Sequence, residues 1–350
     1  MGMTGRGRLR LMASYARGGS AGVPGPSGLM VETTVRCNLR CPMCPRTGVD
    51  YPQADLPDDL LYPLLEDYAA MGGDHVYLYG LGEPLLDPRI FDILARCRAL
   101  GLGTVISSNG TLLNADRRRR LLDAGCDHFI VAIDGTDQET YGHYRAGGVY
   151  ETVVAQVRAL AAEKKARRAK MTLVVQFIRM HRNLHQQEDF LRLWRAVPGV
   201  DLVRLKEEDI GLPGHNLTGA DGKGRKNPCF LLWRGPLVVR YTGDVYPCYH
   251  IAEQGDALGN LRDVSLADLW DHPEMQRLRS MHAAGEGEVE PCLSCPCIRP
   301  RRPFILGAMA VPGITTRYLI PLMERVSHRW PWIFNEEVRD PVPGEAGGDP

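Results

Sequence analysis

Residues 29–44 read LMVETTVRCNLRCPMC, a short apolar run that leads straight into cysteines 37, 41 and 44. A buried strand that ends in a cysteine loop suits an α/β protein, whose ligands sit at the carboxyl ends of its strands. Three thiols spaced C-x3-C-x2-C are one short of the four that close a structural metal site. A cubane iron–sulfur cluster with one iron left open fits three thiolates, and the open corner can take a small molecule. The competing reading is a structural zinc that borrows a distant fourth cysteine.

The apolar run is the first of six. HVYLYG (75–80), GTVISS (103–108), HFIVAID (128–134), MTLVVQFI (171–178) and VDLVRL (200–205) follow it. Between them lie segments such as DLLYPLLEDYAAM, PRIFDILARCRAL and GVYETVVAQVRALAAEKKARR, each with apolar residues three to four apart. Strands alternating with helices predict an α/β fold with a parallel sheet covered by helices, either open or curled into a partial barrel.

Of the 350 residues, 42 are Lys or Arg and 42 are Asp or Glu. A net charge near zero argues against nucleic-acid binding through bulk electrostatics. The first thirty residues are rich in Gly and Arg and contain no apolar signal core, so a cytoplasmic setting is expected. Grouped cysteines in that setting read as metal or cluster ligands, not as disulfides. No run of eighteen apolar residues predicts a membrane span.

The rhythm divides the chain. Residues 1–27 read as a flexible basic arm, 28–210 as the α/β core, and the turn-rich 211–227 as a linker or mobile loop. Residues 228–298 form a smaller cysteine-rich module, and 299–335 a helical extension. In that extension Tyr318, Leu319, Leu322, Met323 and Val326 make an apolar stripe. The stripe covers the core or a partner, or touches a membrane peripherally. The tail 336–350 reads as disordered.

The C-x3-C-x2-C loop resembles the signature of the radical S-adenosylmethionine (SAM) superfamily, with Cys37, Cys41 and Cys44 as cluster ligands. The resemblance implies a partial (βα)6 TIM-like barrel and a [4Fe–4S] cluster whose open iron binds SAM. One electron then cleaves SAM to methionine and a 5′-deoxyadenosyl radical. A low-potential donor such as flavodoxin or ferredoxin would supply that electron. YGLGEP (79–84) is similar to the family's Gly-Gly-Glu region and would place Glu83 at the methionyl amine. By the same resemblance Ser107 and Asn109 contact the methionyl end of SAM. Asp134 lies near the ribose, and Arg145 clamps the methionyl carboxylate. Gln176 would face the ribose if its side chain points inward.

In CFLLWRGPLVVRYTGDVYPC (229–248), apolar alternation around YTGD predicts a β-hairpin that brings Cys229 and Cys248 together. CLSCPC (292–297) adds a C-x2-C pair. The pattern resembles the C-terminal SPASM and Twitch auxiliary-cluster domains. It implies a small α+β module with one auxiliary [4Fe–4S] cluster on Cys229, Cys248, Cys292 and Cys295. Cys297 replaces Cys295, acts near substrate, or packs. A four-cysteine zinc site is the alternative. Cys97 and Cys126 read as core thiols.

A fully ligated auxiliary cluster accepts an electron better than it binds substrate, which points to a radical oxidoreductase; the Twitch resemblance implies that it acts on a small alcohol, sugar or aminocyclitol. The alternatives are a maturase of a ribosomal peptide or partner enzyme, and a non-catalytic electron carrier or zinc protein. For the proton acceptor, Glu207 and Glu208 lie just past the sixth strand; Tyr79, His143, Arg179 and His181 also lie near strand ends.

Overall fold

The computed structural model describes residues 3–207, 227–285, Cys292, Cys295 and 302–310. Six parallel strands succeed one another along the sheet: β1 (Gly28–Val31), β2 (His75–Tyr77), β3 (Gly103–Ser108), β4 (His128–Ala132), β5 (Thr172–Arg179) and β6 (Leu202–Glu207). Helices such as Asp58–Ala70, Ile90–Ala99 and Tyr150–Ala166 cross between them. The alternation read from the sequence is thus a partial barrel, open at β6 in the strand order.

Burial explains the near-continuous apolar strands. Leu29, Val31, Ile106, Phe129, Val131, Leu173 and Val175 pack toward the helices in the main core. The opposite face carries a smaller cluster of Val105, Ile130, Val174 and Leu202, with Tyr77 and Tyr79 against it. This second face is the barrel interior. The helices answer with matching stripes: Val153, Val157, Leu160 and Ala161 on Tyr150–Ala166, and Phe190, Leu191 and Trp194 on Gln187–Arg195.

The cysteine-rich segment is fused to this sheet. Strand β7 (Leu237–Val239) pairs in parallel with β1, and β8 (Asp244–Tyr246) and β9 (Gly259–Asn260) continue it antiparallel. The β7–β8 hairpin turns at Gly243, whose φ of 90° suits glycine and where a Cβ would meet the Leu60 side chain at 2.9 Å.

Two expectations change. The apolar run at 29–35 is a strand only to Val31, because beyond it the chain turns to the 54–56 segment: Leu56 N–H donates to Thr33 O and Val35 N–H to Ala54 O. The supposed flexible arm contains a helix, Gly5–Arg17, capped by Thr4 and by Gly18 at φ 69°. Its arginines suggested a solvated segment, but Leu11 and Tyr15 lie one turn apart and are buried. Tyr15 stacks edge-on against Trp233, and Arg8 pairs with buried Asp74 at 2.7 Å. In the extension, helix Arg302–Ala310 packs on this N-terminal helix through buried Ile305 and Met309. The linker 211–226, Cys297, Glu208, the 318–326 stripe and the 336–350 tail lie outside the described residues. No described helix is long and apolar enough to cross a membrane.

Candidate functional site

The three-cysteine loop leaves the carboxyl end of β1 and is tied down along its length. At its entry Arg36 makes a two-pronged ion pair with Asp55, at 2.9 and 2.7 Å. Glu83 N–H donates to Arg36 O at 2.8 Å, so the turn after β2 grips the loop. In its middle, Asn38 accepts from Asn109 at 3.0 Å and donates to Thr111 at 2.8 Å. Arg40 N–H reaches Ala146 O, and the Thr47 hydroxyl donates to Cys41 O at 2.6 Å. Leu39 and Met43 bury themselves with Tyr144 and Met180. Apolar anchors alternate with thiols, leaving the cysteines near one another at the barrel mouth.

Burial pushes the thiols of Cys37 and Cys44 up, Cys44 to about 11, and each cysteine charge opposes its neighbours. Such thiols stay protonated until a metal takes the proton's place. Among the described residues no three such side chains are drawn around a single point as ligands of one ion are. A cubane instead needs each cysteine on a separate iron corner, and three soft thiolates in one loop fit that donor chemistry.

Glu83 is the hub of the rim. Its carboxylate is 2% exposed and accepts three hydrogen bonds: from Leu85 N–H at 3.1 Å, the Ser108 hydroxyl at 2.7 Å and Asn109 N–H at 2.7 Å. Burial raises its pKa, partly offset by these donors. A carboxylate has about four acceptor positions, so one remains on Oε2 for an ammonium group. The glycines beside it are forced by packing. A Cβ on Gly82 would lie 2.1 Å from Thr34 O and 3.0 Å from Arg36 O, both backbone atoms. Gly82→Ala should therefore push the turn off the cysteine loop and lower stability by about 1–3 kcal/mol, measurable as a lower urea midpoint of the cluster-free chain.

Asp134 and Arg145 are brought together as an ion pair. Asp134 is fully buried; one oxygen accepts from Arg145 Nε at 2.7 Å and the other from Ile178 N–H at 2.8 Å. Burial works against the Arg145 charge, but Asp134 and Cys41 hold its pKa above the ordinary value. Arg145 Nη1 sits 4.0 Å from Cys41 Sγ. The pair thus lies beside the cysteine loop, and the expected ribose contact and carboxylate clamp fall on two groups that already engage each other. Gln176 points inward, on the face of Val174, and accepts from Arg204. Ser107 shares the interior face of Val105, while its neighbour Ser108 takes Glu83.

The second cysteine group also converges. Burial pushes the Cys248 thiol up, and Cys229, Cys295 and Cys292 add their charges to the same effect, in that order. Cys295 N–H donates to Cys292 O, a tight turn that sets the pair side by side. Tyr51 and Tyr249 each feel the charges of Cys44 and of Glu253, which lies in the helix that Cys248 caps. Cys97 and Cys126 are buried in the core, with Cys97 pushed up to about 12 by burial. Glu207 ends β6 opposite Arg179; His143 and His181 are exposed. Asn38, Ser108, Arg36 and Glu32 escaped the sequence reading. Only Asn38, between two cysteines, carried a local signal.

Comparison with known proteins accounts for both halves. Residues 31–182 match the radical SAM superfamily and residues 229–296 match SPASM, an iron–sulfur cluster-binding domain. A PqqA peptide cyclase of Methylocella silvestris is 28% identical over 305 residues, 77% of this chain and 80% of that protein. A tungsten-containing aldehyde ferredoxin oxidoreductase cofactor-modifying protein of Pyrococcus furiosus is 28% identical over 69% of this chain and 80% of its own. Among solved structures, Streptococcus suis SuiB bound to S-adenosylmethionine superposes with a TM-score of 0.61 at 14% identity, covering 90% of this chain and 77% of that one. BtrN in complex with AdoMet and 2-DOIA reaches 0.51 at 19% identity, covering 77% and 91%. These structural likenesses carry the fold, and the two family matches carry [4Fe–4S] clusters and SAM as cofactors. The chain belongs to the radical SAM superfamily and carries a C-terminal SPASM domain.

Proposed function

We propose that the chain modifies a peptide, removing hydrogen from one of its C–H bonds. The observation that carries this reading is its likeness to PqqA peptide cyclases, which runs through most of the chain instead of stopping at the first cysteine group. The small-alcohol reading rests on the auxiliary-cluster resemblance, and the 19%-identical BtrN structure adds likeness of fold alone.

When bound, the SAM-ligated cluster supplies a 5′-deoxyadenosyl radical that takes a hydrogen atom from the substrate. The chain's own groups do the rest. Cys37, Cys41 and Cys44 would hold the cluster, Glu83 would receive the methionyl amine, and Ser107, Asn109 and Gln176 would line the rim that orients SAM. Asp134 and Arg145 keep the cysteine loop in place. The remaining proton goes to a base at the end of β6, Glu207 or Glu208. Cys229, Cys248, Cys292 and Cys295 would hold one auxiliary cluster, which would supply an acceptor for the remaining electron. The electron that starts each turnover comes from a low-potential donor of the flavodoxin or ferredoxin type.

The test is anaerobic. Protein reconstituted with iron and sulfide is given SAM, reductant and the peptides that co-purify with it without oxygen. A peptide that loses two hydrogens as 5′-deoxyadenosine forms supports the reading. A small carbonyl product with every peptide unchanged overturns it.

A further inference from the structure

The two cysteine sites are joined by a buried ionic network that belongs to neither. Glu32 follows β1, the strand flanked by β2 on one side and β7 on the other. Its carboxylate, 1% exposed, faces the turns that follow both neighbours. Oε1 accepts from Leu81 N–H, in the turn that carries Glu83, at 2.7 Å. Oε2 accepts from Tyr241 N–H, in the hairpin turn after β7, at 3.4 Å. Gly80 makes the first contact possible: a Cβ there would lie 2.8 Å from Oε1.

Arg240 carries the connection onward. Its guanidinium lies 3.5 Å from Glu32 Oε1 and donates to Ala252 O at 2.9 Å and Glu253 Oε1 at 2.6 Å. Both acceptors lie in helix Tyr249–Gln254, whose N-cap is Cys248. Burial works against the Arg240 charge, yet Glu32 and Glu253 keep its pKa raised. The Glu32 pKa is also raised, because Arg240 offsets its burial only in part. Apolar side chains would fill such a seam at less cost. What an apolar seam cannot do is fix two backbone turns by the same carboxylate.

We propose that Glu32 is a positioning residue that holds the SAM-side turn and the auxiliary-cluster hairpin in one register, so that SAM binding is felt at the auxiliary cluster through Arg240. The proposal rests on assigning the 80–83 turn to SAM. Reconstituted protein is assayed for iron, for SAM affinity by equilibrium dialysis, and for the paramagnetic resonance signal of the reduced auxiliary cluster with and without SAM.

In the wild type, SAM should shift the auxiliary signal. Glu32→Gln keeps the shape but can accept from only one turn. It should weaken SAM binding by about tenfold, the scale of one charge-assisted hydrogen bond, and abolish the shift at unchanged iron content. Arg240→Lys keeps the charge and leaves the Leu81 bond in place. It cannot bridge Glu32 to Ala252 and Glu253, so it should lose the shift while SAM affinity holds. Glu253→Gln, which touches neither turn, should leave SAM affinity unchanged.

A shift that persists in both Glu32→Gln and Arg240→Lys overturns the proposal, as does its absence from wild-type protein that binds SAM. Should Glu32→Gln fail to take up iron, Arg240→Lys decides alone. Wild-type protein that binds no SAM at full iron content defeats the assignment of the turn instead.

Discussion

Replacing Cys37, Cys41 and Cys44 together by alanine should abolish reductant-dependent 5′-deoxyadenosine formation and lower iron from about eight to about four per chain. Among the described residues no other thiol serves this loop: Cys97 and Cys126 are buried in the core, and Cys229, Cys292 and Cys295 act on Cys248. The loop itself should survive, because its anchors are elsewhere. Leu39 and Met43 stay buried, and the Arg36–Asp55 and Asn38–Asn109 contacts do not involve sulfur. The effect is therefore close to complete on radical formation and small on folding. Iron, sulfide and zinc are counted in both proteins, and 5′-deoxyadenosine is measured by chromatography. About twelve irons in the wild type would reject a single auxiliary cluster. About four irons with one zinc would restore the zinc reading of the second group.

How much of this was legible beforehand depended on how local the signal was. Six strands, their order of appearance and the three-cysteine loop followed from short-range pattern, since a buried parallel strand is apolar throughout and the loop spacing is contiguous. The hairpin at YTGD was equally local, with Gly243 at its turn. What the sequence hid were the long-range partnerships. Nothing near Asp134 says that Arg145 will claim it, and nothing near Ser108 says that Glu83 will arrive from the turn after β2. Strand alternation puts Ser107 and Ser108 on opposite faces, but which hydroxyl meets the carboxylate depends on how another loop passes. The N-terminal arm misled for a related reason. Its composition is that of a solvated segment, while two residues one turn apart, Leu11 and Tyr15, bury the helix against Trp233 and its surroundings. Glu32 sat inside an apolar run and read as strand; its importance comes from β7, more than two hundred residues away.

Asp134→Ala should be among the most destabilising single changes in the molecule. The carboxylate is fully buried, and its loss leaves the Arg145 guanidinium, itself largely buried, without its ion-pair partner. Removing one member of a buried pair typically costs about 3–5 kcal/mol, most of it the penalty of the stranded charge. Ile178 N–H loses its acceptor as well, about 1–3 kcal/mol if water cannot reach it. Against a total stability of about 5–15 kcal/mol, the cluster-free chain should unfold at a much lower urea concentration. Asp134→Asn keeps an acceptor for Ile178 and should fall between the variant and the wild type. The decisive comparison is the double change Asp134→Ala with Arg145→Met, which removes the stranded charge. It should recover much of the loss in stability while leaving the cysteine loop less well braced, since Arg145 Nη1 no longer approaches Cys41. Stability should then return while SAM-cluster loading stays reduced. If instead Asp134→Ala alone unfolds at the wild-type midpoint, the pair contributes neither stability nor bracing, and Arg145 is free to serve SAM directly.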